Sequence, residues 1–291
     1  MRLLLAACLA SVAMAQSPGP LTRVAKEAET LAAKIPAAIS RETLEQRTLR
    51  ALRPSAESSP AQPGDLRLTR TIVSEYTVAP LKDSPSNELV EFRQVVSVNG
   101  RPVQSSDSAR HALSLGVLTA GESARKRMLE DFAKNGLVDV ATDYAMVLLA
   151  FTTSGQENLK ILPSGEDRVG SDDALIFAWA QSAPGGGQLS FEGKQSARSP
   201  LAGKLWVRRS DGLPLRVWVW AVQNTPSHSF RDEATVDYVM SARGFVAPVS
   251  VLHHHLVDGQ LRTENLYRYE PFKLFGADTE VRYPGAQPPP K

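Results

Sequence analysis

The chain has 291 residues, a formal net charge of +2 and a hydrophobic content of 42%. This length fits one large domain or two small ones, and the apolar content is enough for a sizeable core. Acidic and basic residues are interspersed along the chain. Because a dedicated nucleic-acid-binding protein needs a basic stripe, the near-neutral balance argues against that class.

The first residues have the pattern of a secretory signal peptide. Arg2 is followed by an apolar run and then by Ala-Met-Ala, an A-x-A cleavage pattern that ends at Ala15. We expect residues 1–15 to be removed, the mature protein to be periplasmic or secreted, and no later segment to span a membrane. Lipidation of Cys8 is the alternative, but the apolar run before its tetrad is too short for an ordinary signal peptide. Cleavage after Ala15 would leave no cysteine, so stability would come from burial.

Residues 21–52 have apolar side chains at mostly helical spacing, which predicts an N-terminal helical segment. Pro36 interrupts this pattern, so we predict two helices or a kink near Lys34. Residues 53–65 are rich in Pro, Ser and Ala, which is typical of a linker. The proline-rich residues 284–291 are expected to be a disordered tail.

Residues 66–283 are predicted to form an antiparallel sheet domain. Its helical insertion is expected at residues 121–151, where the period of the apolar residues changes from strand to helix. Strands are predicted at 66–80, 89–98, 158–162, 173–181, 189–194, 234–240, 245–257 and 261–269, with a hairpin at 203–223. Because consecutive strands are joined by tight turns, we expect an α+β fold with a curved antiparallel sheet, or incomplete barrel. The N-terminal helix and the inserted helical pair should pack on that sheet.

The hairpin at residues 203–223 has apolar runs on both sides of Asp211-Gly212. This dipeptide is preferred in tight turns that need positive φ. The second arm is apolar on both faces, with Val217 on one side and Trp218 on the other. A strand with one solvated face would alternate apolar with polar residues. We therefore expect both faces of this arm to be covered.

Neighbouring strands carry apolar side chains that could line a cavity for an acyl chain. The candidate ligand-binding residues are Trp206, Val217, Trp218, Val219, Trp220, Tyr238 and Tyr267. Phe191 and Tyr269 lie on predicted strands of the same sheet. The other interpretation is that these large side chains fill a core, as aromatic residues commonly do.

Residues 253–255 are three consecutive histidines on a predicted strand. A two-residue turn after this strand would place His253 opposite Glu264 and His255 opposite Arg262. Two histidines and a carboxylate can bind zinc, but a zinc site normally has three or four protein ligands, and an arginine would oppose a cation. A polar strand face with a His-Glu pair is the other interpretation, and we predict no metal and no cofactor.

The chain lacks the common motifs of nucleophilic, metallopeptidase and nucleotide-binding sites. Adjacent carboxylates occur at Glu166-Asp167 and at Asp172-Asp173, but a pair of catalytic carboxylates needs converging positions several ångströms apart. These residues are better explained as solvated turn residues. The sequence therefore favours a non-enzymatic protein.

Three stretches carry a resemblance to a known family: LWVRRSDGLPLRVWVWAV, ATVDYVMSARGFVAPVSV and ENLYRYEPF. Together they resemble the C-terminal half of the periplasmic lipoprotein-carrier superfamily, the LolA-like outer-membrane lipoprotein-sorting proteins. The resemblance implies an incomplete antiparallel barrel whose concave side is capped by helices and encloses an apolar cavity for acyl chains. The longer helical pair and the histidine cluster depart from that pattern.

Three functions fit these observations. The first is an exported non-enzymatic envelope protein that binds a lipid, an acyl group or a lipidated protein in its curved sheet. The second is a scaffolding or regulatory module with a filled core that binds other envelope proteins. The third is a hydrolase or metal protein centred on residues 253–255, which would have to converge with Glu264 or Asp237. A pocket on the order of several hundred cubic ångströms between sheet and helices would favour the first.

Overall fold

The computed structural model describes residues 19–49, 66–81, 88–118, 121–140, 142–182, 189–192, 195–198 and 200–275. The predicted signal peptide, the linker at 53–65 and the tail at 284–291 lie outside these residues.

Within the described residues, twelve antiparallel strands form one curved sheet that does not close into a barrel. In sequence order they are β1 (Ala38–Leu49), β2 (Leu66–Pro80), β3 (Leu89–Val98), β4 (Arg101–Pro102), β5 (Leu159–Val169), β6 (Asp172–Gln181), β9 (Ala202–Arg208), β10 (Pro214–Asn224), β11 (Ser229–Met240), β12 (Val246–Val257), β13 (Gln260–Tyr269) and β14 (Lys273–Leu274). Their order across the sheet is β4-β3-β2-β1-β13-β12-β11-β10-β9-β6-β5, and β14 also pairs with β1. A separate hairpin consists of β7 (Leu189–Glu192) and β8 (Gln195–Arg198).

The helices are α1 (Pro20–Lys34), α2 (Ser106–Leu118), α3 (Glu122–Lys134) and α4 (Thr153–Gln156), with 3₁₀ helices at Ile35–Ala37 and Tyr144–Phe151. Among the described residues, no helix has the length and apolar character needed to cross a bilayer. The segment predicted as a helical pair at 121–151 contains α3 and the second 3₁₀ helix. Helix α2 was not predicted. The sheet and these helices are consistent with an α+β fold.

The predicted helix at 21–52 is wrong beyond residue 37, because residues 38–49 form strand β1. The inward side chains of β1 include Glu42 and Gln46, which are buried despite being polar. Their polar character hides the two-residue period that normally identifies a half-buried strand. Helix α1 itself ends at Lys34, two residues before Pro36.

Helix α1 and the 3₁₀ helix Tyr144–Phe151 cover one face of the sheet, which we call the inner face. Leu31 of α1, Leu148 of the 3₁₀ helix and Val219 of β10 belong to one cluster of buried side chains. Leu148 N also donates a hydrogen bond to the Tyr238 hydroxyl on β11 (3.3 Å). Burial of each such aliphatic side chain contributes about 1.5–3 kcal/mol, so this layer is the main core.

The opposite, outer face is covered in part by α2. Leu113 of this helix packs in a second buried cluster with residues of β1, β2 and β3. The strand members of that cluster are Ile39, Ala79, Val90 and Phe92. The contacts of Leu113 hold α2 against the sheet. Strands β1 to β3 are therefore packed on both faces.

The predicted hairpin is confirmed, since β9 and β10 pair antiparallel on either side of residues 209–213. Gly212 has the positive φ that the turn requires (+74°), and Asp211 Oδ1 accepts a hydrogen bond from Leu213 N (3.1 Å). The connection has five residues, because β9 ends at Arg208 and β10 begins at Pro214. Asp211 and Gly212 are therefore turn residues, as predicted, but they lie in a connection that is longer than a two-residue tight turn.

Candidate functional site

The seven predicted ligand-binding residues lie on two different faces of the sheet. Four of them belong to the inner core cluster: Val217, Val219, Tyr238 and Tyr267. The other three are half-buried on the outer face: Trp206, Trp218 and Trp220. The Arg231 guanidinium lies over the rings of Trp218 and Trp220, at 5.9 and 5.1 Å from their centroids. One cavity lined by all seven residues is therefore incompatible with the fold.

Part of the inner face is occupied by buried charges rather than by apolar groups alone. Arg93 Nε donates to both oxygens of Glu42 (2.7 and 2.9 Å), and Arg93 Nη2 donates to Glu91 (2.6 Å). The same guanidinium lies 5.0 Å from the ring centroid of Tyr76 and 5.5 Å from that of Tyr267. Burial raises the pKa of Glu91. We call these residues the Arg93 cluster, and it packs directly against one predicted ligand residue, Tyr267.

The histidines at 253–255 are arranged differently from the prediction. His253 lies opposite Asn265 and His255 opposite Thr263, because β13 has one extra residue, Arg262, at a β-bulge. The predicted pairings of His253 with Glu264 and of His255 with Arg262 are therefore wrong. The one-residue shift moves each partner by one position along β13.

His253 and His255 share one carboxylate on the inner face. His253 Nε2 lies 3.0 Å and His255 Nδ1 2.9 Å from Asp232 Oδ1. Burial raises the pKa of Asp232, but the hydrogen bonds from the two histidines outweigh it and hold that pKa well below its usual range. On its other side, His253 Nδ1 lies 3.1 Å from the amide nitrogen of Asn265, which also donates to the Asp139 carbonyl. The arrangement is a buried polar network that ties β11, β12 and β13 to the loop after α3.

This network does not support the metal or hydrolase hypothesis. Glu264 contacts His254 on the outer face, and Asp237 forms an ion pair with Arg216 there. Neither carboxylate reaches His253 or His255, as that hypothesis requires. Over the part of the chain that the structure describes, no three His, Cys, Asp or Glu side chains converge as metal ligands.

His254 forms the cross-strand His-Glu pairing that the sequence suggested for His253. Its Nδ1 lies 3.5 Å from Glu233 Oε1 and its Nε2 lies 3.1 Å from Glu264 Oε2. The hydrogen bond with Glu233, assisted by Glu264, raises the pKa of His254. His254 therefore contributes to a ladder of charged groups across β11, β12 and β13.

A pocket of about 370 Å³ lies between α2, strands β1 and β2, and the chain around β14. We call it the α2 pocket. Its walls include Ile39, Arg41, Glu75, Arg110, Ser114 and Phe275. The outer-face packing of α2 against the sheet creates it, because the helix and the last described residues leave a gap above β1.

The base of the α2 pocket carries charge. Arg41 Nη2 donates to Glu75 Oε1 and Arg110 Nε donates to Glu75 Oε2, each at 3.2 Å. Arg41 Nη2 also donates to the Ser106 hydroxyl at the start of α2 (2.6 Å). Ile39 and Phe275 supply apolar surface beside these groups. The pocket can therefore hold a molecule with both apolar and polar parts.

No sequence pattern identifies the residues of the α2 pocket. Arg41 lies in the segment predicted as helix, Glu75 lies on a predicted strand without a distinguishing pattern, and Arg110 belongs to the helix that was not predicted. One local signal was available, because Ser105 precedes α2 as an N-cap and its hydroxyl accepts from Ser108 N (3.1 Å). That signal would have identified α2, although not its packing partners.

Fold and site together define an α+β protein with an open, curved antiparallel sheet and a pocket between that sheet and a helix. No known family's sequence profile matches the chain, and no curated protein matches it.

Solved structures that the chain resembles include a LolA superfamily protein from Nitrosomonas europaea, at 8% identity and a TM-score of 0.33, covering 87% of this chain and 93% of that one. They also include a domain assigned to outer membrane lipoprotein sorting from Vibrio parahaemolyticus, at 8% identity and a TM-score of 0.37, with coverages of 89% and 95%. A DUF1329 family protein from Desulfovibrio piger has 8% identity, a TM-score of 0.34 and coverages of 89% and 94%. Two of these three structures carry the description of the family that the three sequence stretches resemble.

Proposed function

We propose that this protein is a non-enzymatic binding protein of the cell envelope that holds the apolar group of a lipid or a lipidated protein in the α2 pocket. The observation that carries the proposal is the pocket itself, about 370 Å³ between a helix and the sheet. Ligand sites for small molecules commonly have about 300–1,000 Å³. This pocket takes the place of the cavity that the seven residues of strands β9 to β13 were predicted to line.

The walls of the α2 pocket suit an acyl group. Ile39 and Phe275 offer apolar surface, and transfer of each methylene group from water to such a surface contributes about 0.8 kcal/mol. The carboxylate of Glu75 accepts from arginines through both oxygens, so it is poorly placed to act as a general base. Binding without chemistry is the activity that these groups support.

A substitution that fills the pocket tests the proposal. Ser114 lies on the pocket wall and is exposed, so Ser114→Trp should place an indole in the pocket without disturbing the core. Ser108→Trp is the matched control, because Ser108 is exposed on the same helix and is not part of the wall. Displacement of a fluorescent fatty acid and native mass spectrometry measure the binding.

We expect the wild type and Ser108→Trp to bind the fatty acid alike, and Ser114→Trp to bind at least about tenfold more weakly, a loss of about 1.4 kcal/mol. Equal binding by the two variants would show that the ligand lies elsewhere. The absence of binding by the wild type would instead favour the second hypothesis, a protein-binding module.

A further inference from the structure

Two arginines share one carboxylate at the base of the α2 pocket. Arg41 and Arg110 each donate to Glu75 at 3.2 Å, so the three groups carry one net positive charge (+1 +1 −1). The Glu75 side chain is 2% exposed, whereas those of Arg41 and Arg110 are 34% and 44% exposed. Of these three groups, the guanidinium groups are therefore the ones that an entering ligand can reach, and the carboxylate is the more deeply buried.

Both guanidinium groups keep donors available. Within the described residues, Arg41 Nη1 and Arg110 Nη2 make no hydrogen bond. Each arginine has five N–H donors in a planar fork, which matches the geometry of a carboxylate or a phosphate. An acidic group on these donors would complete the charge balance of the cluster.

The pocket wall as a whole is formally neutral, because Arg41, Arg110 and Lys273 balance Glu75, Asp107 and Glu270, so the positive charge of the two arginines on Glu75 is a local one. Asp107 lies 3.5 Å from Arg110 Nη1, but its side chain is 94% exposed, and solvent screens such a surface pair strongly. Glu270 and Lys273 are both exposed and have opposite signs. His111, also on the wall, adds no negative charge.

We infer that the α2 pocket selects amphiphiles with an acidic head group, a carboxylate or a phosphate monoester, which lies on Arg41 and Arg110. Glu75 is a positioning residue, because its two oxygens orient the two guanidinium groups. The apolar part of the ligand lies along Ile39 and Phe275. The inference rests on the function proposed for this pocket and adds the chemistry of the ligand.

Three ligands with the same chain length test the selectivity: dodecanoic acid, dodecyl phosphate and dodecanol. Their affinities for the full-length protein are measured by displacement of the same fluorescent fatty acid. We expect at least one of the two acids to bind about tenfold or more tightly than the alcohol, because hydrogen bonds to charged groups are worth at least that factor. Whichever of the two acids binds more tightly identifies the head group that the pocket prefers.

Arg110→Gln should reduce the affinity for the acid about tenfold and leave the affinity for dodecanol unchanged. The substitution removes a guanidinium that donates to the acidic head group, and it leaves Arg41 and Glu75 as a pair with no net charge. Arg127→Gln is the control, since Arg127 is exposed on α3, lies outside the pocket and changes the net charge equally. Equal affinities of the wild type for all three ligands, or equal effects of the two variants, would overturn the inference. In those cases binding of dodecanol would still leave the proposed function standing, whereas failure of every amphiphile to bind would refute the function itself.

Discussion

Replacement of Arg93 by methionine should destabilise the protein strongly. Arg93 and its partners Glu42 and Glu91 have side chains that are each 1% exposed. Methionine would fill much of the space but leave two carboxylates buried with no counter-charge. Breaking a buried ion pair in this way costs about 3–5 kcal/mol, so we expect a loss of that size at pH 7.5. Urea unfolding followed by circular dichroism gives the free energy of unfolding, with an unchanged m-value if unfolding stays two-state.

Two comparisons make this prediction specific to the Arg93 cluster. The triple variant Arg93→Met, Glu42→Gln, Glu91→Gln removes the three charges together and should be more stable than Arg93→Met alone. Arg67→Met, on an exposed position of β2, should stay within about 0.5 kcal/mol of the wild type. The loss in Arg93→Met should shrink at pH 5, because its unpaired carboxylates can then take up protons in the folded state. A single variant within about 1 kcal/mol of the wild type, or a triple variant less stable than the single one, would refute the reasoning.

Two further predictions concern the sheet. In Gly203→Ala the new Cβ would overlap the Trp218 carbonyl oxygen, so we expect a loss of about 3 kcal/mol or more, measured by thermal unfolding. Gly19→Ala, which meets nothing within 4 Å, is its control, and equal melting temperatures would contradict the close approach of β9 and β10. Because Glu233 and Glu264 raise the pKa of His254, its contribution to stability is complete below about pH 6.5 and is lost as the pH rises through the folded-state value. His254→Gln should therefore flatten the fall in stability between about pH 6 and 8, and an unchanged pH profile would contradict this prediction.

The predictable part of the fold is the part whose inward residues are apolar. Strand β10 has Val217 and Val219 buried on one face, and it follows a turn whose glycine has positive φ. Its apolar pattern and its turn residues therefore both predict the same hairpin. Strand β1 could not be recognised in the same way. Its inward Glu42 and Gln46 are satisfied by Arg93 and Asn265, which lie far away in the sequence. A local pattern cannot show a partner that only the tertiary fold supplies.

The site was harder to predict for a related reason. The α2 pocket takes Arg41 from β1, Glu75 from β2, Arg110 from α2 and Phe275 from the end of the described chain. None of these residues belongs to a motif, and their proximity follows from sheet order and helix packing. The histidines show how much one residue matters, because the bulge at Arg262 shifts the cross-strand partner of each histidine by one position along β13.

The pairing of β1 with β13 sets the order in which the protein can fold. Glu42 lies opposite Tyr269, so two neighbouring positions in the centre of the sheet come from nearly opposite ends of the described chain. As the chain emerges with its N-terminus first, β1 has only β2 beside it until the C-terminal strands have emerged. Such non-local pairing slows folding and leaves a strand edge open to association with other chains. Chains that end before residue 260, where β13 begins, should therefore be the species most in need of a chaperone.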